Sequence, residues 1–180
     1  MDSLRGQLLL AGPSLVDPNF RRSVVLIGEH NDDGALGVVL NRPTELAVEE
    51  VVPPLARLAG DGARVFLGGP VRPSDAVVLA EFDEDGRTDL PVLGGIGFLM
   101  GEIDPSAGER IRRARVFAGY AGWGPGQLEG ELEGASWIVE PALPSDVFTS
   151  EPEDLWSAVL RRKGGEYLLI ATMPLDPSLN

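Results

Sequence analysis

The sequence predicts an α+β fold: a single domain over residues 1–180, with a largely antiparallel or mixed β-sheet and a few short helices. Three observations carry this expectation. Apolar, β-branched runs of strand length recur in hairpin-like pairs, with few helical stretches between them. Glycine (23 residues) and proline (15 residues) punctuate the chain often enough to require many turns and short elements. Hydrophobic residues make up 43% and charged residues 24%, a balance that lets a chain of 180 residues bury a full core.

The elements follow in order. Residues 6–12 (GQLLLAG) read as a first strand, and Pro13 and Asp17-Pro18 then mark an irregular connection. Residues 23–29 (SVVLIGE) and 35–41 (ALGVVLN) read as strands, joined by a hairpin in which Asp33-Gly34 supplies the turn. From Pro43 the period changes. Residues 44–60 read as a helix, a break at Pro53-Pro54, and a second short helical turn. Residues 63–69 and 76–82 read as strands with GPVRPSD between them, and Asp85-Gly86 marks a turn. A weak strand is assigned to residues 97–103, and RARVFAGY at 113–120 reads as a strand. In GWGPGQLEGELE, Gly124 and Pro125 look like the start of a short helix that turns Leu128 and Leu132 inward. Residues 150–164 predict a helix with Ser150 and Glu153 as a capping box, an apolar face of Leu155, Trp156, Val159 and Leu160, and Gly164 as terminator. Residues 166–173 (EYLLIATM) read as a final strand.

Composition excludes several function classes. The net charge is -13, which repels a phosphate backbone and argues against direct nucleic-acid binding. The dense basic run, Arg110, Arg112, Arg113 and Arg115, reads as a solvated face. Cysteine is absent, so disulfides, thiolate catalysis and cysteine-held metals are excluded. No apolar run approaches the ~18 residues of a membrane helix. The expectation is a cytoplasmic protein without membrane contact, cofactor or metal.

Nucleotide-binding loops are also missing. GWGPGQ has alternating glycines without the dinucleotide spacing, and in GGIGFLMG Met100 stands where the third glycine belongs. Glu129, Glu131 and Glu133 read as a solvated acidic face, Trp123 and Trp137 as core aromatics, and His30, the one histidine, as a structural hairpin residue. No serine-nucleophile elbow accompanies His30. Asn41-Arg42-Pro43 and Gly68-Gly69-Pro70, with Arg72 close by, are arginine-bearing turns at strand ends that could frame an anionic site.

Taken together, these pieces resemble the YqgE/AlgH family of bacterial proteins. The resemblance rests on Phe20-Arg21-Arg22-Ser23-Val24, Glu29-His30 with Gly34-Ala35 and Gly37, Asn41-Arg42-Pro43, Gly68-Gly69-Pro70, Gly119-Tyr120-Ala121-Gly122-Trp123, Gly126-Gln127-Leu128-Glu129, and the closing Asp176-Pro177-Ser178-Leu179-Asn180. It covers nearly the whole chain, with residues 91–108 fitting least well. It implies a single α+β domain in the bacterial cytoplasm, in a family of unknown function. Some members are labelled regulators of transcription, although the family resembles no standard DNA-binding module. It offers no catalytic residues to carry over.

The resulting expectation is a non-enzymatic binding or regulatory module that uses glycine-rich strand-end loops. Its partner is an unspecified protein or small molecule, and its exposed strand edges allow a homodimer. The binding candidates are Asn41, Arg42, Gly69, Trp123, Gln127 and Glu129. One alternative is an enzyme for a small polar substrate, with His30, Glu129 and Glu131 as acid–base groups. The other is the transcriptional regulator that the family label suggests.

Overall fold

Strands β1 (Gln7–Ala11), β2 (Val24–Asn31) and β3 (Gly34–Val39) pair antiparallel, with Leu8 opposite Leu26 and Val25 opposite Val39. Their near-continuous apolar sequence follows from having both faces covered. Leu8, Leu10, Val24, Leu26 and Val38 enter an inner cluster, while Leu9, Ala11, Val25, Ile27 and Val39 enter an outer one. These strands belong to a computed structural model that describes residues 2–83, 88–99 and 105–175.

After β3 the chain makes a short strand, β4 (Pro43–Ala47), and two single-turn helices, α1 (Val48–Val51) and α2 (Ala56–Ala59), separated by a 3-10 turn over Pro53–Leu55. Then come β5 (Arg64–Leu67), the long β6 (Val71–Phe82), the hairpin of β7 (Leu90–Leu93) and β8 (Ile96–Leu99), and the long β9 (Ile111–Trp123). Helix α3 (Gln127–Glu133), strand β10 (Trp137–Pro141) and helices α4 (Pro144–Val147), α5 (Leu155–Lys163) and α6 (Tyr167–Ala171) complete the described chain.

The described strands form one sheet in the order β10-β1-β2-β3-β9-β6-β8-β7. Beside this path β5 pairs parallel with β9 and antiparallel with β4, so the sheet is largely antiparallel with one parallel pair. The sheet curls until β7 lies against β2. Gly28 permits this closure, because a Cβ there would sit 2.2 Å from the Phe98 ring. The inner cluster therefore joins both halves, bringing Phe66, Leu79, Ile96, Phe98 and Phe117 against the β1–β3 side chains. Leu155, Trp156, Val159 and Leu160 of α5 complete it. A third cluster lies under α1 and α2, where Val48 and Leu55 meet Val65, Val78 and Val116.

Several elements differ from expectation. Residues 43–47 are strand, because Pro43 and Ala47 register against Phe66 and Arg64 of β5. β6 begins at Val71, so part of the expected connection is strand, bulged between Val71 and Ala76. The weak strand at 97–103 is, within the described residues, the strand Ile96–Leu99 paired with β6 and β7. The Asp85-Gly86 turn and the closing motif at 176–180 lie outside the described residues. Residues 167–171 are helix; β-branched character is low there, and the segment packs on α5 instead of reaching a sheet edge. The capping box of α5 does not form: Thr149, not Ser150, bonds the Glu151 N–H, and Pro152–Asp154 is a 3-10 turn leading into the helix. Gly164 ends α5 at φ +75, as expected. In the β2–β3 hairpin the two-residue loop is Asp32-Asp33, neither with positive φ, and Asn31 faces Gly34. Gly34, just after that loop, does carry a positive φ of +130, and it is needed for closeness as well, since a Cβ would sit 2.1 Å from the Trp123 carbonyl oxygen on β9.

Candidate functional site

Where β9 ends, the chain must turn from the sheet into α3. Gly126, at φ +73, makes that turn, two residues later than the expected start at Gly124-Pro125. Gln127 then folds back, its Oε1 accepting from the Gly124 N–H at 3.0 Å. This local geometry sets the register of α3 over the outer cluster. Leu128 is fully buried and Leu132 packs beside it.

The same register aims Glu131 inward. Its Oε2 accepts from Trp123 Nε1 at 2.9 Å and from Trp137 Nε1 at 2.7 Å, and its Oε1 accepts from Gln127 Nε2 at 3.2 Å. The two indoles meet edge-on with centroids 6.1 Å apart, and Phe20 packs on both, 5.7 Å from Trp137 and 6.3 Å from Trp123. Glu129, on the side of α3 that meets the β2–β3 hairpin, accepts from His30 Nε2 at 2.8 Å. That bond holds the Glu129 carboxyl below the ordinary carboxylate range. The other ring nitrogen, Nδ1, accepts from the Leu4 N–H at 3.0 Å, which leaves the imidazole proton on Nε2. Glu129 and Glu131 thus form specific bonds, where the sequence suggested a solvated acidic face; Glu133 is exposed.

Phe20 sits on the loop between β1 and β2, and that loop is held by the Asn41-Arg42 turn. Arg42 donates to the Pro18 and Asn19 carbonyls at 2.9 and 2.6 Å and to the Arg21 carbonyl at 2.9 Å. Burial lowers the Arg42 pKa, with the Asp17 charge acting the other way. Asn41 accepts from the Val24 N–H and donates to the Arg22 carbonyl, both at 2.9 Å. Ser23, fully buried, donates to the Phe20 carbonyl at 2.6 Å. Five of the six candidates, Asn41, Arg42, Trp123, Gln127 and Glu129, therefore belong to one chain of contacts running from the loop through Phe20 and the indoles to α3. Gly69 stands apart from it. At φ +155, Gly69 lies where a Cβ would be 2.2 Å from the Tyr120 carbonyl group.

Sequence reasoning did not single out Phe20, Trp137 and Glu131 as one cluster. Phe20 and Trp137 lie over a hundred residues apart in sequence, so no local period could have joined them. The basic run is also divided by strand alternation. Arg115 is partly buried, donating to the Val147 and Thr149 carbonyls and lying 4.6 Å over Phe66, and burial lowers its pKa. Arg113 pairs with Glu81 at 2.6 Å. Arg110, Arg112 and Arg113 are exposed, as a solvated face requires, and Arg115 departs from it by being partly buried.

The exposed part of the motif region is small. Gly122, Gly124, Pro125, Gly126 and Gln127 face outward at the end of β9. A separate recess of about 560 Å³ is lined by Glu81, Phe82, Asp83, Thr88, Pro91, Gly94, Gly95 and Arg112, none of them a candidate residue. Among the described residues no cluster of histidine and carboxylates could hold a metal ion, and no helix is long and apolar enough to cross a membrane.

The sequence model of the AlgH-like family matches residues 8–168. The chain belongs to the AlgH-like family. A relative in Streptomyces avermitilis is 46% identical, over 100% of this chain and 97% of its own length. One in Mycobacteroides abscessus is 49% identical, over 97% of this chain and 87% of its own. Both are named UPF0301 proteins. Among solved structures, a crystal structure from Corynebacterium diphtheriae superposes with a TM-score of 0.86 at 31% identity, covering 96% of this chain and 93% of that one. The solution structure of AlgH from Pseudomonas aeruginosa gives a TM-score of 0.72 at 32% identity, covering 97% and 96%. The AlgH-like assignment agrees with the sequence motifs, most of which meet here in one packed network.

Proposed function

We propose that this AlgH-like chain is a non-enzymatic binding or regulatory module of the bacterial cytoplasm, engaging a protein or small-molecule partner through the exposed turn at residues 122–127. One observation carries this reading. Gln127 bonds the Gly124 N–H and Glu131 bonds Trp123 and Gln127, so the glycine-rich turn is held in place, while Asn41 and Arg42 hold the neighbouring loop that carries Phe20. Rigid loops on a scaffold present a surface at low ordering cost.

A thermal-shift screen of small anions and metabolites tests it, with Gly122→Arg as the control. Gly122 is exposed, and its nearest neighbours to an added Cβ are 3.7 Å away, so the fold should tolerate the change. A ligand that raises the wild-type melting temperature and not that of Gly122→Arg supports the reading. Ligands that shift both proteins equally would sink it, and so would a full screen and crosslinking series with no dependence on this turn.

The acid–base alternative has the 2.8 Å His30–Glu129 distance in its favour. Against it, both ring nitrogens are already bonded and Glu131 serves two indoles, so neither group is left free to act on a substrate. The DNA-binding reading meets the internal bonds of Arg113 and Arg115; a salt-sensitive gel shift lost on Arg112→Ala would revive it.

A further inference from the structure

His30 is the only histidine, is 9% exposed, and links the N-terminal segment to α3 through its ring. Its Nδ1 accepts from the Leu4 N–H at 3.0 Å, and its carbonyl accepts from Ser3 Oγ at 3.1 Å. Its Nε2 donates to Glu129 of α3 at 2.8 Å. Only a neutral ring can make both side-chain bonds. An imidazolium is a donor at both nitrogens, so Nδ1–H would confront the Leu4 N–H while the bond to Glu129 became a full ion pair.

We propose that His30 is a pH-sensitive latch for the Leu4 amide: neutral, its ring fastens Leu4 to the β2–β3 hairpin; protonated, it gives up that bond and tightens on α3. The next anchor holds in both states, because Gly6 N–H donates to the Ile27 carbonyl without involving the ring. Release is therefore confined to Leu4, between the Ser3 bond to the His30 carbonyl and the Gly6 anchor, and loosens its seat on the outer cluster.

Glu129 is the carboxylate bonded to the ring from α3. The N-terminal segment carries Asp2 and Arg5. The hairpin carries Glu29, Asp32 and Asp33, with Glu29 bonded to Asn31. β3 presents Ala35 opposite His30, and β9 presents the buried Trp123 beyond it. Glu129 is the carboxylate that meets the cation, and the conflict is with the Leu4 amide.

The test is amide exchange on the full chain, with the His30 ring titrated in the same samples by NMR. After correction for intrinsic rates, Leu4 protection should fall by about tenfold, the loss of roughly one hydrogen bond, in step with ring protonation as the pH is lowered. His30→Asn places a non-titrating oxygen near the Nδ1 position and should make Leu4 protection independent of pH. Unchanged Leu4 protection while the ring titrates overturns the latch. So does the same fall in His30→Asn, or a fall in wild type that begins while the ring is still neutral.

Discussion

Glu131 satisfies two buried indole N–H groups with one oxygen, so its removal orphans both donors at once. Each orphaned buried donor costs roughly 1–3 kcal/mol, and Glu131→Ala should destabilise by about 2–4 kcal/mol in urea unfolding, with a changed tryptophan emission. Glu131→Gln keeps an oxygen and should recover most of that loss. Arg42 is a second case. Its guanidinium ties together three carbonyls of one loop, a geometry that a lysine ammonium cannot copy. Arg42→Lys should therefore lower stability by about 1–3 kcal/mol, read by the urea midpoint at constant slope. Glu129 adds a pH dependence. Its folded pKa lies below its unfolded value, so its stabilisation is present above the unfolded carboxylate range and disappears as pH falls through the lower folded pKa. Wild type should be more stable than Glu129→Gln at neutral pH, and the gap should close on acidification toward about pH 3. A gap that stays constant with pH would refute the ionic origin of the effect.

Among the elements, two glycines with opposite surroundings separate packing from propensity. Gly130 lies inside α3 with nothing within 4 Å of where a Cβ would stand, so alanine there adds helix propensity alone. Gly130→Ala should raise stability by about 0.5–1 kcal/mol. Gly69 joins β5 to β6 with its backbone against Tyr120, and Gly69→Ala should cost more than about 3 kcal/mol or prevent folding, because backbone on both sides must move. Paired melting curves of the two variants test both signs. The elements also show how far local patterns reach. Strands β2 and β3 are legible in the sequence because each carries an apolar run with β-branched residues. Residues 43–47 and 166–173 mislead because their local preference is weak, and a neighbour decides the outcome: β5 offers a ladder to the first, and α5 offers an apolar flank to the second.

Across the whole molecule, one curled sheet separates the inner cluster from the two outer ones, and every cluster takes side chains from it. Loss of any cluster should therefore carry the sheet with it. Tryptophan fluorescence, which reports Trp156 inside and Trp123 and Trp137 outside, should superimpose on far-UV circular dichroism through the urea transition. Separate midpoints would mean that the clusters unfold independently. The α+β class, the main strand positions, the terminator of α5 and the family can all be read from the chain of letters, because each depends on residue type, local period or ordered motif spacing. The candidate site is legible there only in part: Asn41, Arg42, Trp123, Gln127 and Glu129 stand out, but as a surface and not as a bonded network. Three-dimensional packing was needed to establish that His30 meets Glu129 across 99 residues, that Glu131 is shared by two indoles, and that Arg115 is partly buried while Arg112 is exposed. Those outcomes depend on strand order and on the face a side chain takes once the sheet curls, and neither is encoded by near neighbours in the chain.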